Sequence, residues 1–382
     1  MMSASRRLYI FLASVLMVLS ATGMIFDDLK KEILLLLGMG LGFVLFKSSF
    51  GFSSAYRRFI VQQDARGVQA QIVMVGLATL LFAPILAMGS VFGHEVYGSL
   101  APVGIQVAIG AFLFGIGMQI ANVCASGTLF ALGGGSMRMI FVLTSFMAGS
   151  FWASLHFEWW ENLPATNPSS LEESFGWPLG VSLQIVILLV LWIGTNRWNE
   201  NRIKEAKQIW NWNRILVEPW PLMAGGIVLA ILNLVTLLIV GHPWSITWGF
   251  TLWGAKIAQL LGWQPDSSLF WQGGFQQTAL HGSILDDVTS VMDIGMVVGA
   301  FFAAIVSGRF STFVRITPLA TIAAILGGLL MGYGARIAYG CNVGAFFSGT
   351  ASTSLHGWLW IIAAIPGVWI GIKLRPVFHL PS

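Results

Sequence analysis

Charge is what this 382-residue chain has least of. Asp, Glu, Lys and Arg together make up 9% of it, against 56% hydrophobic residues. So few charges cannot coat a soluble domain of this length, and a net charge of +4 leaves no basic face for nucleic acid. Cysteine is scarcer still: Cys124 and Cys341 are the only two, too few for a disulfide framework. No His stands at ligand spacing from either, so they do not complete a tetrahedral metal set, and no metal or cofactor is expected. The six histidines lie near segment ends and form no triad, so enzyme chemistry has no visible apparatus.

What the chain has instead is apolar length. Several runs approach the ~20 residues that a bilayer requires, so the expected fold is an all-α polytopic membrane protein, one integral domain over 1–382. Arg6 and Arg7 precede a first run, Leu8–Phe26, too long for a signal-peptide core and followed by a poor cleavage site. Further spans are expected at Glu32–Ser49, Val68–Phe92, Pro102–Asn122, Met137–Trp160, Leu179–Gly194, Pro221–Val240, Thr247–Trp263, Val288–Gly308, Ile316–Ala338 and Leu355–Ile372. Lys47, Arg57, Arg58 and Arg66 mark a cytoplasmic loop by the positive-inside rule, as do Arg197, Arg202, Lys204, Lys207 and Arg214 further on. Glu161, Glu172 and Glu173, without a Lys or Arg between them, place the 161–177 loop outside. Both termini are expected in the cytoplasm. Trp159, Trp160, Trp177, Trp220, Trp244 and Trp263 sit at span ends, where interfacial belts form.

One stretch organises the rest. In Gly110–Gly135 an apolar run stops at Cys124, a short apolar piece follows, and three glycines end it as a turn. Shifting by 217 positions lays this stretch on a second copy. Gly110, Leu113, Gly115, Gly117, Ile120, Ala121, Cys124, Gly127 and Phe130 fall on Gly327, Leu330, Gly332, Gly334, Ile337, Ala338, Cys341, Gly344 and Phe347. Both cysteines thus hold the same place in an internal repeat. The expected units are about 32–160 and 245–375, with a connector at 161–244. Irregular backbone at membrane depth is tolerated only in protein or along a cavity, so paired breaks point to a transport pathway. The half-helices Cys124–Leu132 and Cys341–Gly349 are too short to cross and are expected to be re-entrant. The basic residues Arg309, Arg315, Lys373 and Arg375 ask for inverted repeats, whereas the hydrophobic segments between the units give an even count, so one of them between Leu179 and Trp263 need not cross.

The breaks supply the candidate substrate-binding residues: Cys124 with Ser126 and Gly127, and Cys341 with Asn342 and Gly344. Helix N-termini there would offer N–H groups to an anion, and thiols add weak, polarisable donors. Gln119 and Arg336 stand five residues before their cysteines as repeat partners. Arg336 either neutralises an anion, snorkels to the interface or holds a loop by hydrogen-bonding its carbonyls. Asp293, inside its span, is either the partner of a buried polar group or a proton site.

The blocks GIGMQIANVCASG and GYGARIAYGCNVG, with KSSFGFSSAYRRF and TWGFTLWGAK, resemble the YeeE/YedE family of bacterial membrane transporters over roughly Gly38–Gly371. The resemblance implies an inner-membrane permease that imports thiosulfate, or a related sulfur or selenium anion, through an hourglass of helices with inward-pointing loops. It also implies a cysteine relay, onto which Cys124 and Cys341 map. Transporting members carry a third cysteine between two phenylalanines, where this chain has Gly51. A small cytoplasmic sulfur-carrier protein is the implied partner, besides the lipid bilayer. A membrane thiol-redox or sulfurtransferase protein is the competing class.

Overall fold

The computed structural model describes residues 28–198, 216–311 and 317–381. The expected span Leu8–Phe26 lies outside the described residues, as do Arg202, Lys204, Lys207, Arg214 and Arg315. Helix α1 (Leu29–Ser48) starts where the Asp28 carboxylate accepts from the Lys30 N–H, and stops where Ser49 turns left-handed. Then come α2 (Phe52–Gln62), α3 (Arg66–Met88), α4 (Ile105–Ile120), α5 (Ala125–Gly133) and α6 (Arg138–Ser154). After α7 (Trp177–Trp198) the series runs α8 (Leu222–Val240), α9 (Thr247–Leu260), α10 (Val288–Val306) and α11 (Pro318–Ile337). A π-helical turn, Asn342–Ser348, precedes α12 (Leu355–Leu374). Two short two-stranded ribbons and a few short helical pieces fill the connections.

Among the described residues, eight helical segments are long and apolar enough to cross a membrane, with α1 and α2 counted together, and α4 with α5. The chain is an all-α polytopic membrane protein. Thr247–Trp263, expected as a span, is a helix of 14 residues. At ~1.5 Å per residue it reaches about 21 Å, short of a ~30 Å core. It ends because Gly262 turns to positive φ and Pro265 follows.

The long helices meet through glycine. A Cβ on Gly110 of α4 would lie 2.5 Å from the Gly334 oxygen of α11, and one on Gly117 2.7 Å from the Gly327 oxygen. No side chain fits between these backbones, so α4 and α11 cross in direct contact. Helix α12 packs on α4, α6 on α11, α10 on α1 and α8 on α3. Behind the crossing, Phe250, Phe146, Phe114 and Trp360 form an edge-to-face ladder, with centroids 5.0, 6.2 and 5.4 Å apart. Trp360 ends it by donating its indole N–H to the Gly340 carbonyl at 3.1 Å, which fixes the chain beside Cys341.

One expectation about side chains is corrected. Trp244 and Trp160 are buried, not exposed in a belt, while Trp159 and Trp177 do face outward. The Trp244 N–H donates to Asn233 Oδ1 and its carbonyl accepts from Ser348 Oγ, so it braces the π turn. Lys47 is also fully buried, its ammonium donating to the Leu216 carbonyl at 3.1 Å.

Candidate functional site

Both breaks have the same backbone. Helix α4 unwinds through Asn122 at φ 62°, and α11 through Tyr339 at φ 57°, positions that correspond in the sequence repeat. Left-handed φ is uncommon outside glycine and costs energy that the surrounding packing must supply. Each cysteine then sits extended at φ −106° as the residue before the next helical piece. After Cys124 that piece is the α-helix α5. After Cys341 it is wider than the expected half-helix, because the Phe346 N–H reaches back five residues to the Cys341 carbonyl. Single π turns of this kind are rare and gather at functional sites.

Both thiols are 1% exposed, and they lie within electrostatic reach of each other. Cys124 Sγ lies 3.5 Å from Ser126 Oγ, and Cys341 Sγ accepts from the Val343 N–H at 3.4 Å. A Cβ on Gly127 would sit 2.6 Å from Val123 Cγ2 and 3.3 Å from Cys124 Sγ, so glycine permits the close packing here. Gly344 performs another task, accepting from Ser99 Oγ at 3.0 Å. Asn342 is 1% exposed, and its amide nitrogen and oxygen have no hydrogen-bond partner among the described residues.

Tyr56, which sequence reasoning overlooked, completes the group. Its ring lies on α2 near Cys124, with the hydroxyl beside the Asn342 side chain but outside hydrogen-bond geometry. Its placement follows from spacing. Ser53, Tyr56 and Arg57 fall at i, i+3 and i+4 on one face of α2. Ser53 Oγ donates to the Met118 carbonyl at 2.8 Å and Arg57 to Asn122 Oδ1 at 2.6 Å, which stitches that face to the end of α4. The only signal in the sequence was this polar pattern within KSSFGFSSAYRRF.

Gln119 and Arg336 part company. Gln119 is buried and donates to the Ser53 carbonyl at 2.9 Å, so it secures α2. Arg336 is held between Phe157 and Phe270, 5.3 and 5.2 Å from their centroids, with Glu161 near enough to interact. Both rings and Glu161 also line a cavity of ≈360 Å³. Gly51 precedes α2 and lines a separate small cleft with Phe50, Ser54 and Arg58. Three arginines meet at the C-terminal end of α4. Arg57 donates to Asn122, Arg138 to the Ala121 carbonyl and Arg375 to the Gln119 carbonyl. Cations suit that negative end of the helix dipole.

Sequence comparison relates the chain to known proteins. The chain is 35% identical to the probable transporter YedE of Escherichia coli over 168 residues, 44% of this chain and 41% of that protein. The match thus spans about two fifths of the YedE length. Two proteins named thiosulfate transporter TsuA align more fully. The Spirochaeta thermophila protein is 28% identical over 88% of this chain and 96% of its own. The Escherichia coli one is 26% identical over 90% and 94%. The profile of a family described as sulphur transport covers residues 47–370, and the chain belongs to that family, YeeE/YedE.

Proposed function

We infer that the protein is an inner-membrane permease importing a small sulfur-containing anion, with thiosulfate the first candidate, and that Cys124 and Cys341 relay it through the middle. One observation carries the reading. Two buried thiols stand beside a Tyr56 hydroxyl and an Asn342 amide that are equally buried and unpartnered among the described residues. A buried polar group without a partner costs about 1–3 kcal/mol, so a cluster is retained where a ligand satisfies it in passing. Thiol, phenol and amide donors match a soft oxyanion, and α5 adds the N–H groups of a helix beginning at Cys124. Two relatives named as thiosulfate transporters support the same class. Gly51, lacking the third thiol, leaves a related sulfur or selenium oxyanion as the second reading.

The supporting architecture is a pair of inverted repeats with re-entrant α5 and π turn. Their shared φ signature, the reciprocal glycine crossing and the shortness of α9 all favour it. Units at about 32–160 and 245–375 accommodate most of the pattern, while the packing of α8 on α3, like that of α10 on α1, draws α8 into the second unit. With both termini cytoplasmic, the arginines at the end of α4 form the inner mouth, where a sulfur-carrier protein would collect the anion. Arg336 stands at the outer one. The test is uptake of labelled thiosulfate by cells lacking other importers. Cys124→Ala and Cys341→Ala should each abolish it at unchanged membrane levels, and near-normal uptake by either returns that thiol to core packing. Competition by selenite and sulfite ranks the substrates. Persistent covalent sulfur on either cysteine after exposure would favour a sulfurtransferase instead.

A further inference from the structure

Asp293 has no evident structural duty. It lies in α10 at 0% exposure, and neither carboxyl oxygen has a hydrogen-bond partner among the described residues. Oδ2 would stand 2.8 Å from a Cβ on Gly249, so the carboxyl occupies the space that glycine leaves in α9. It also lies within electrostatic reach of Cys341. The start of α9 resembles that of α2: Gly249-Phe250 has the same residues as Gly51-Phe52, with Thr251 in place of Ser53. Tyr56 of α2 lies near Cys124, and Asp293 of α10 lies against Gly249 of α9 near Cys341.

An ionised carboxylate in this position would be unpaired and dry, which costs far more than carrying a proton. The titratable groups on the packed elements do not relieve it. On α1, Lys30 and Glu32 belong to the first turn, where Lys31 is paired to Asp286, and Lys47, at the opposite end, is bound to the Leu216 carbonyl. On α9, Lys256 is bound to the Leu280 and Gly282 carbonyls, and α5 has no titratable group. Asp287, near enough to interact, adds a like charge and is occupied with Trp248 and Ser290. An anion beside Cys341 would meet repulsion from the carboxylate and a hydrogen-bond donor in the acid.

We propose that Asp293 is a proton-bearing residue of the translocation site, a neutral carboxylic acid that donates its O–H to the anion beside Cys341 and whose ionisation closes the route. This rests on the permease reading above and adds a donor and a pH gate to it. The proton stays on Asp293 during passage, so no bond is made or broken.

The test treats purified full-length protein with dicyclohexylcarbodiimide, which modifies protonated carboxyls in apolar surroundings, and locates the adduct by peptide mass spectrometry. Asp293 should be labelled, less so as pH rises, and thiosulfate should slow the labelling several-fold. Absence of label at neutral pH overturns the proposal whatever the substrate is, because this readout needs no transport. Uptake by cells is the second arm. Wild-type uptake should fall as pH rises through the titration of the acid, while Asp293→Asn, which keeps a donor that cannot ionise, should transport with a flat alkaline limb. Asp293→Ala should lose at least tenfold. Wild-type uptake by Asp293→Ala, or labelling indifferent to thiosulfate in a protein that does import it, would make Asp293 a passive buried acid and overturn its role.

Discussion

Gly110 and Gly334 touch backbone to backbone across the α4–α11 crossing, and Gly117 and Gly327 touch in the same way. In the sequence repeat, however, Gly110 corresponds to Gly327 and Gly117 to Gly334. The contact therefore exchanges partners: each residue meets the counterpart of the other's mate. A two-fold operator through the crossing produces this relation, as it does in isologous dimers. It holds α4 and α11 in direct backbone contact at two points.

Substitution there should be costly. Gly110→Val places a side chain against the Gly334 carbonyl, where backbone must shift. Overpacking of this sort costs about 1–3 kcal/mol. The thermal midpoint of purified protein should drop, and the membrane level with it. Gly194, whose Cβ would meet nothing within 4 Å, is the control, and Gly194→Val should leave both unchanged. Equal behaviour of the two variants would discard the close-crossing argument.

Legibility of this fold in the sequence follows from what periodicity and repetition can encode. The breaks at Cys124 and Cys341 were legible because the same residue pattern occurs twice, 217 positions apart. Both then appear with matching left-handed exits at Asn122 and Tyr339. The length of α9 was not legible, since an apolar run reads alike whether it crosses or stops. Only Gly262 and Pro265 end it. The π turn after Cys341 was hidden as well, because Asn342–Ser348 has the composition of an ordinary apolar helix. Trp244 read as interfacial by its position at a run end, but tertiary contacts with Asn233 and Ser348 draw it inward. Tyr56 escaped notice because its neighbours, in sequence, are basic residues that speak of topology.

Arg336 offers a discriminating substitution. Arg336→Gln makes the position like its repeat partner Gln119 and removes the charge behind the ≈360 Å³ cavity. If the cation recruits the anion, apparent affinity should weaken about tenfold, ~1.4 kcal/mol, at unchanged membrane levels. A collapse in expression would identify Arg336 as a brace for Phe157 and Phe270. Arg336→Lys is informative too, because lysine keeps the charge but loses planar stacking between two rings.

The turn between α2 and α3 should confer an acid-sensitive stability. Arg66 donates to both oxygens of Asp64, at 2.9 and 2.8 Å, and this pairing holds the Asp64 carboxyl below the usual carboxylate range. A depressed folded-state value contributes stability above the unfolded value and loses it as pH falls through the folded one. Thermal midpoints in detergent should therefore decline on acidification below about pH 4. Asp64→Asn should lower the midpoint at neutral pH and remove that part of the acid dependence. A variant with the wild-type profile would show that the pair adds nothing measurable, as many exposed pairs do.

Tyr56 permits the sharpest experiment, because its two possible roles move two readouts in opposite directions. The Tyr56 hydroxyl is buried and has no hydrogen-bond partner among the described residues. For stability alone, deleting it should help: an orphaned buried polar group costs about 1–3 kcal/mol, and Phe keeps the ring that packs against Phe52 at 6.5 Å. Tyr56→Phe should then unfold at the same or a higher temperature than wild type. For transport the expectation reverses. If the hydroxyl meets the anion as it passes Cys124, its removal leaves the substrate short of one donor, and uptake should fall roughly tenfold for a loss of ~1.4 kcal/mol. Asn342→Ala, removing the neighbouring amide, should behave alike, and the double variant should lose less than the two losses combined, since both groups serve one ligand. A variant that is more stable and less active is the signature of a polar group kept for function. Unchanged uptake by Tyr56→Phe would separate the hydroxyl from the route and leave the two thiols with Asn342 to carry the anion.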